Sequence, residues 1–116
     1  MTAQRRAVLE ILKDNRTHPT AEALIEQVRG KLGCVAPATI YNTLQALETL
    51  GFVRRIDGLE NKAHFDPDTS PHQHAICSNC KWIWDVSSMS LPKDMPAGFL
   101  LKDILFLGTC SMCAAA

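Results

Sequence analysis

No stretch of this sequence strings together the roughly 18 apolar residues that a membrane-spanning helix needs, and no charged-then-apolar leader opens it. Neither a membrane span nor a secretory signal is therefore expected, and the chain reads as cytoplasmic. Net charge is missing too, since 12 Lys and Arg balance 12 Asp and Glu. The balance is uneven along the chain. Residues 1–63 carry nine basic against seven acidic side chains, and residues 64–116 carry three against five. A slightly basic front half is compatible with nucleic-acid binding there but does not require it. At 116 residues the chain allows one domain of ordinary size, or two very small ones sharing a staple.

What is present in quantity is cysteine at metal-binding spacing. Four of the five cysteines form two Cys-x-x-Cys pairs, Cys77/Cys80 and Cys110/Cys113. Two intervening residues let both thiolates of a pair turn to one side of a tight knuckle. Two knuckles together offer four sulfurs in tetrahedral directions, the arrangement of a closed structural Zn²⁺ site. The 29 residues between the pairs exceed the roughly 15–20 of a simple zinc ribbon, so the site is expected to staple a small sheet. Unrelated redox or buried thiols are the alternative. Metal-type spacing without a leader also points to a reducing compartment. Cys34, between Gly33 and Val35, reads as an inert buried thiol.

Three helical patterns precede the Pro67–Pro71 stretch. Gln4–Asp14 places Val8, Leu9, Ile11 and Leu12 on one side. Thr20 is a good N-cap for a second helix with a Leu24, Ile25, Val28 and Leu32 stripe, and Gly33 is its natural stop. The third opens at Pro37 and closes at Gly51, with Ile40, Leu44, Leu47 and Leu50 as a buried stripe. Phe52–Ile56, an Asp57-Gly58 turn and Lys62–Phe65 then read as a hairpin. Three helices followed by a hairpin is the order of a winged helix-turn-helix. Opposite the third helix's stripe lie Thr39, Tyr41, Asn42, Thr43 and Gln45, nearly free of charge. Thr and Tyr can meet thymine methyls and Asn and Gln adenine edges in a major groove; a polar surface helix is the plainer reading. Arg54 and Arg55 on the hairpin, with Arg5, Arg6 and Arg16, could contact phosphates.

Behind the linker, His72 and His74 alternate, so on a strand both imidazoles face one side. A second strand, Trp82–Val86, would bring Asp85 near them across the Cys77–Cys80 knuckle. Asp66 closes the hairpin and His18 precedes the second helix. Mixed His and Asp ligands suit Fe²⁺, Mn²⁺ or Zn²⁺; chance placement of two histidines on an exposed strand is the alternative. His64 reads as a surface or phosphate-facing residue.

With Thr2–Arg5, His18–Ala21, Ala38–Asn42, His72–Cys77 and Cys110–Cys113 in this order, the chain resembles the ferric uptake regulator (Fur) family of metal-dependent repressors over nearly its whole length. The resemblance implies an α+β fold: a winged-helix DNA-binding domain at 1–66, a hinge at 67–71, and a small α/β dimerisation domain at 72–116 with a four-cysteine zinc site. It implies a homodimer on a double-stranded DNA operator, with neither membrane nor small-molecule substrate as partner. It also implies a regulatory metal at the hinge, held by His18, Asp66, His72, His74 and Asp85. Asp at both 66 and 85 looks like the peroxide-responsive (PerR) branch, with Fe²⁺ or Mn²⁺ as regulatory ion and His18 and His74 as the groups peroxide would oxidise. An iron- or manganese-responsive regulator without peroxide sensing is the nearer alternative. A metal-dependent hydrolase is the remoter one, since no further acid/base residue is positioned; a zinc-stabilised interaction module would leave the hinge ligands idle.

Three departures from the family pattern set further expectations. The chain starts after the basic N-terminal helix usual in the family, which implies either a trimmed start or weaker phosphate contact. Leu100–Asp103 stands where some members place a histidine-bearing segment, so no third metal site is expected. Ser90–Gly98, broken by Pro92 and Pro96, is too short for a long helix beside the dimer sheet, leaving strands such as Ile104–Leu107 to carry that interface.

Overall fold

The computed structural model describes residues 2–87 and 89–115, which form two compact units, Met1–Thr69 and Ser70–Ala116. The first begins with helices α1 (Ala3–Leu12), α2 (Ala21–Leu32) and α3 (Pro37–Thr49). Each start has a local cause. The Thr2 and Thr20 hydroxyls accept from the Arg5 and Ala23 amides, capping α1 and α2, and Pro37 occupies the first turn of α3. Gly33 ends α2 with a left-handed φ of 80°. Gly51 (φ 82°) ends α3: its N–H donates to the Glu48 carbonyl and that of Phe52 to the Leu47 carbonyl, a paired closure that satisfies the last carbonyls.

Ala7, Val8 and Leu12 of α1, Ala21, Leu24, Ile25 and Val28 of α2, and Ile40, Leu44 and Leu47 of α3 meet with Val53 and Phe65 in one core. Strands β1 (Arg54–Asp57) and β2 (Ala63–Asp66) pair antiparallel, Arg54 opposite Asp66 and Ile56 opposite His64. This is the winged helix-turn-helix arrangement.

Several local expectations are corrected. Leu50 is not part of the α3 stripe but is 68% exposed: it is the C-cap residue, one position past the last helical residue Thr49. Leu32, the last residue of α2, is likewise 39% exposed where the chain leaves at Gly33. Cys34 is exposed rather than buried, on the surface connection to α3. The first helix stops at Leu12, and Asp14 turns left-handed (φ 55°). The hairpin does not close through a two-residue Asp57-Gly58 turn. Its strands are joined by residues 58–62, with a short 3₁₀ stretch at Leu59–Asn61 and left-handed Glu60 and Asn61. The Gly58 N–H donating to the Lys62 carbonyl (2.8 Å) closes that loop.

In the second unit β3 (His72–Cys77) is central, antiparallel to β4 (Ile83–Ser87) and parallel to β5 (Leu105–Gly108). Both outer strands sit one residue later than their sequence patterns suggested. A short helix, α4 (Ser111–Ala114), follows. Ile76 and Ile83 pair across β3 and β4 and are buried. Trp84, Phe106 and Leu107 remain exposed, as do Met89, Leu91, Phe99, Leu100 and Leu101 on the β4–β5 connection. No helix is long and apolar enough to cross a membrane among the described residues.

Truncating one core position and one exposed position of the helical stripes separates these roles. Leu24→Ala should lower stability by about 2–5 kcal/mol through the cavity it leaves. Leu50→Ala should change it by no more than about 0.5 kcal/mol. Urea unfolding followed by helical ellipticity, at saturating zinc, measures both.

Candidate metal centres and nucleic-acid face

The four paired cysteines converge within the second unit. Cys77 ends β3, Cys80 lies across its turn, Cys110 caps α4 and Cys113 sits inside it. Their sulfurs all lie within 4.8 Å of one another, Cys80 and Cys110 at 3.9 Å. Tetrahedral Zn–S bonds of about 2.3 Å require sulfurs about 3.8 Å apart, so the set fits zinc. Backbone amides already point at the sulfurs: Cys77 Sγ accepts from the Cys80 and Cys110 N–H groups (3.5 and 3.4 Å), and Cys110 Sγ accepts from that of Cys113 (3.4 Å). The Cys110 and Cys80 amides pull the Cys77 thiol down to about 6. At Cys113 the Asn79 side chain pulls the other way, but Cys110, burial and the remaining sulfurs outweigh it and raise the thiol to about 11. One ligand is thus a ready thiolate near neutral pH while another keeps its proton until a cation displaces it.

Each unit also carries its own cluster of His and Asp side chains at metal-ligand spacing. In the second, the period-2 alternation of β3 turns His72 and His74 to one face, and the register puts Asp85 opposite His74. His72 Nδ1 donates to the Ser70 carbonyl (2.8 Å), which fixes its tautomer and leaves the Nε2 lone pair for ligation. His72 Nε2 is 2.9 Å from His74 Nε2, and the two stand 3.3 and 3.4 Å from Asp85 Oδ1. Ligands about 2.1 Å from one ion lie about 3.0–3.4 Å apart along an octahedral or tetrahedral edge. The three atoms therefore describe one triangular face of a coordination sphere.

In the first unit, His18 Nε2 lies 3.4 Å from Asp66 Oδ2, both residues buried. Asp66 Oδ1 accepts the Asp68 N–H (2.9 Å), which orients the carboxylate. His18 has a left-handed backbone (φ 54°) although it precedes a proline. A non-glycine residue there costs on the order of 1–3 kcal/mol and persists only when its surroundings hold it. His64 is one of those surroundings: its Nδ1 donates to the His18 carbonyl (2.7 Å). The surface or phosphate-facing reading of His64 is corrected by this bond, which spans 46 positions of sequence.

The α3 face is narrower than its composition suggested. Tyr41 is 47% exposed, and Asn42 and Gln45 are exposed beside it. Thr39 is half-buried. Thr43 is corrected: it is 5% exposed, about 60° from Ile40 on the helix, and its hydroxyl donates to the Thr39 carbonyl (2.7 Å). It belongs to the core side. The Tyr41 hydroxyl reaches Glu22 of α2 (3.3 Å), and its pKa is raised by partial loss of hydration, then by the Glu22 charge and hydrogen bond. On β1 Arg54 is half-buried, while exposed Arg55 donates to Asp57 (3.1 Å) and faces Glu48 at 3.9 Å. Composition alone does not show that carboxylates flank both Tyr41 and Arg55.

Cys77→Ser removes the sulfur that receives two amide bonds. Bound zinc, measured by colorimetric release, should fall to near background. The Trp82 and Trp84 near-ultraviolet dichroism should collapse, since apparent energies of structural zinc are on the order of 10 kcal/mol. Retention of both signals would remove the sulfur cluster as the unit's staple.

Residues 1–97 match the profile of the Ferric uptake regulator family. The Peroxide operon regulator of Bacillus subtilis (strain 168) is 39% identical over 85 residues, covering 73% of this chain and 59% of that protein. The Peroxide-responsive repressor PerR of Staphylococcus aureus (strain USA300) is 34% identical over 85 residues, covering 73% and 57%. The matched region thus spans less than two thirds of these curated relatives. Among solved structures, the Helicobacter pylori ferric uptake regulator, described as having three functional metal binding sites, superposes with a TM-score of 0.79. That likeness is one of fold, at 21% identity over 98% of this chain and 81% of that one. Given a profile match that takes in most of its residues, the chain belongs to the ferric uptake regulator family.

Proposed function

We propose that this protein is a metal-dependent, DNA-binding transcriptional repressor that responds to peroxide and acts in the cytoplasm as a homodimer, with a regulatory rather than an enzymatic role. The observation that carries the reading is the division of the His/Asp ligand set. His18 and Asp66 are one part of it, on the winged-helix unit, and His72, His74 and Asp85 are the other, on the sheet unit, each at ligand-edge spacing. Coordination by both parts at once would tie the two units into one orientation. In a dimer that sets the separation of two recognition helices, which must match successive major grooves about 34 Å apart. Metal then acts by selecting the DNA-competent orientation. Exposed Trp84, Phe106 and Leu107 on so small a sheet support a second copy completing its core. Zinc at Cys77, Cys80, Cys110 and Cys113 would hold that sheet together.

Tyr41, Asn42 and Thr39 are the residues proposed to read the operator, with Arg54 and Arg55 on phosphates. Asn42→Ala should weaken operator binding by about 1–3 kcal/mol while sparing non-specific DNA. Thr43→Ala should act on stability instead. Fluorescence anisotropy with operator and scrambled duplexes, at one salt concentration, distinguishes the two.

The peroxide branch is supported by Asp at 66 and 85 and by the names of the two bacterial relatives. Iron, when bound, would supply the redox chemistry that turns peroxide into a local oxidant. As ligands, His18 and His74 would carry ring carbons next to that oxidant, and an oxidised imidazole no longer ligates. Mass spectrometry after peroxide treatment should find one added oxygen on a His18 or His74 peptide of the iron-loaded protein and none on the manganese-loaded protein. Equal, unmodified spectra would make it a plain iron or manganese sensor.

A further inference from the structure

We propose that His64 is the positioning residue through which the His18 backbone controls the wing. The inference rests on the reading of His18 as a regulatory ligand. The segment carrying His18 is fastened to β2 by an isolated antiparallel bridge and two hydrogen bonds. Thr20 bridges His64, the Phe65 N–H donates to the Pro19 carbonyl (2.9 Å), and His64 Nδ1 donates to the His18 carbonyl (2.7 Å). A carbonyl only accepts, so Nδ1 carries the proton and the ring is held in one orientation.

The other edge of that ring lies against the wing loop. A Cβ built on Gly58 would stand 3.0 Å from His64 Cδ2, 3.3 Å from Nε2 and 3.2 Å from the Lys62 carbonyl oxygen, so glycine lets both the ring and the loop closure seat there. Gly58 is also the residue whose N–H closes the loop onto Lys62. A shift of His18 toward or away from its ligated position therefore moves a rigid imidazole, and the imidazole moves the loop between β1 and β2. Asp66, two residues along the same strand, is pulled by the same coordination. Both first-unit ligands thus act on one strand, and His64 is the side chain that passes their position to its tip.

The test uses the full zinc-loaded chain and three variants. His64→Phe keeps a ring against Gly58 but removes the donor. His64→Asn restores a donor at the Nδ1 position. Gly58→Ala pushes the ring from the other side. In protein without regulatory metal, hydrogen exchange at the Phe65 amide should accelerate at least about threefold in His64→Phe and return toward the parent rate in His64→Asn. With Mn²⁺ as the probe, the ratio of operator affinities with and without metal should fall about tenfold in His64→Phe and in Gly58→Ala, within the usual range of coupling between sites. Mn²⁺ affinity measured without DNA should change far less. An unchanged affinity ratio and unchanged Phe65 exchange in His64→Phe would overturn the assignment. Parent protein whose operator affinity ignores Mn²⁺ would instead remove the regulatory reading, and the coupling with it.

Discussion

The second unit depends on four sulfurs meeting. Its sheet has three strands, few buried side chains and exposed aromatic residues, so hydrophobic burial alone is a weak support for it. The sulfur cluster compensates by joining the end of β3, through Cys77, to the segment after β5, through Cys110 and Cys113. Closing that point holds β5 parallel to β3, a pairing that no short turn can impose. The β3 register then decides everything on the opposite edge. A slip of one residue would send His72 and His74 to the other face and away from Asp85.

The winged-helix unit is held differently. Its core is a continuous set of aliphatic side chains from three helices with defined ends, and no metal is needed to explain its packing. What it adds is a strained point. His18 sits in a left-handed conformation ahead of Pro19, secured by hydrogen bonds from His64 to its own carbonyl and from Phe65 to the Pro19 carbonyl. A side chain mounted on such a backbone has few alternative positions, so as a metal ligand it would lose little freedom on coordination. Asp66 is similarly restricted by the Asp68 amide. Ligand geometry is thus prepared by hydrogen bonds local to each unit.

Much of this is legible in the residues because the signals are local. Thr20, Gly33 and Pro37 mark helix ends by their own chemistry, and two Cys-x-x-Cys pairs announce a four-sulfur site without any knowledge of the sheet between them. Errors arise where a helical face is treated as a side and not as an angle. Thr43, about 60° from Ile40 at about 100° per residue, falls on the core side, whereas Leu50 is exposed because it lies one residue past the end of α3. The wing loop departs from expectation because Asp57-Gly58 carries a strong turn signal, whereas the left-handed residues are Glu60 and Asn61. Gly58 serves a contact with the His64 ring that local pattern cannot encode. The parallel placement of β5 and the bond from His64 to His18 join distant positions, and a single sequence holds no record of either.

The parallel pairing of β3 with β5 also imposes an order in time. Residues 88–104 separate β4 from β5, with no helix or strand among those described, and pairing across such a span is entropically late. During synthesis Cys110 and Cys113 emerge after every other ligand. The winged helix can therefore form on the ribosome while the β3–β4 hairpin waits, half-ligated, for its last two sulfurs. In that interval Trp82, Trp84 and Met89 are exposed beside an unpaired strand edge, the condition under which nascent chains associate wrongly. Zinc supply during translation, more than zinc affinity in the finished protein, would then govern how much of this protein a cell can accumulate.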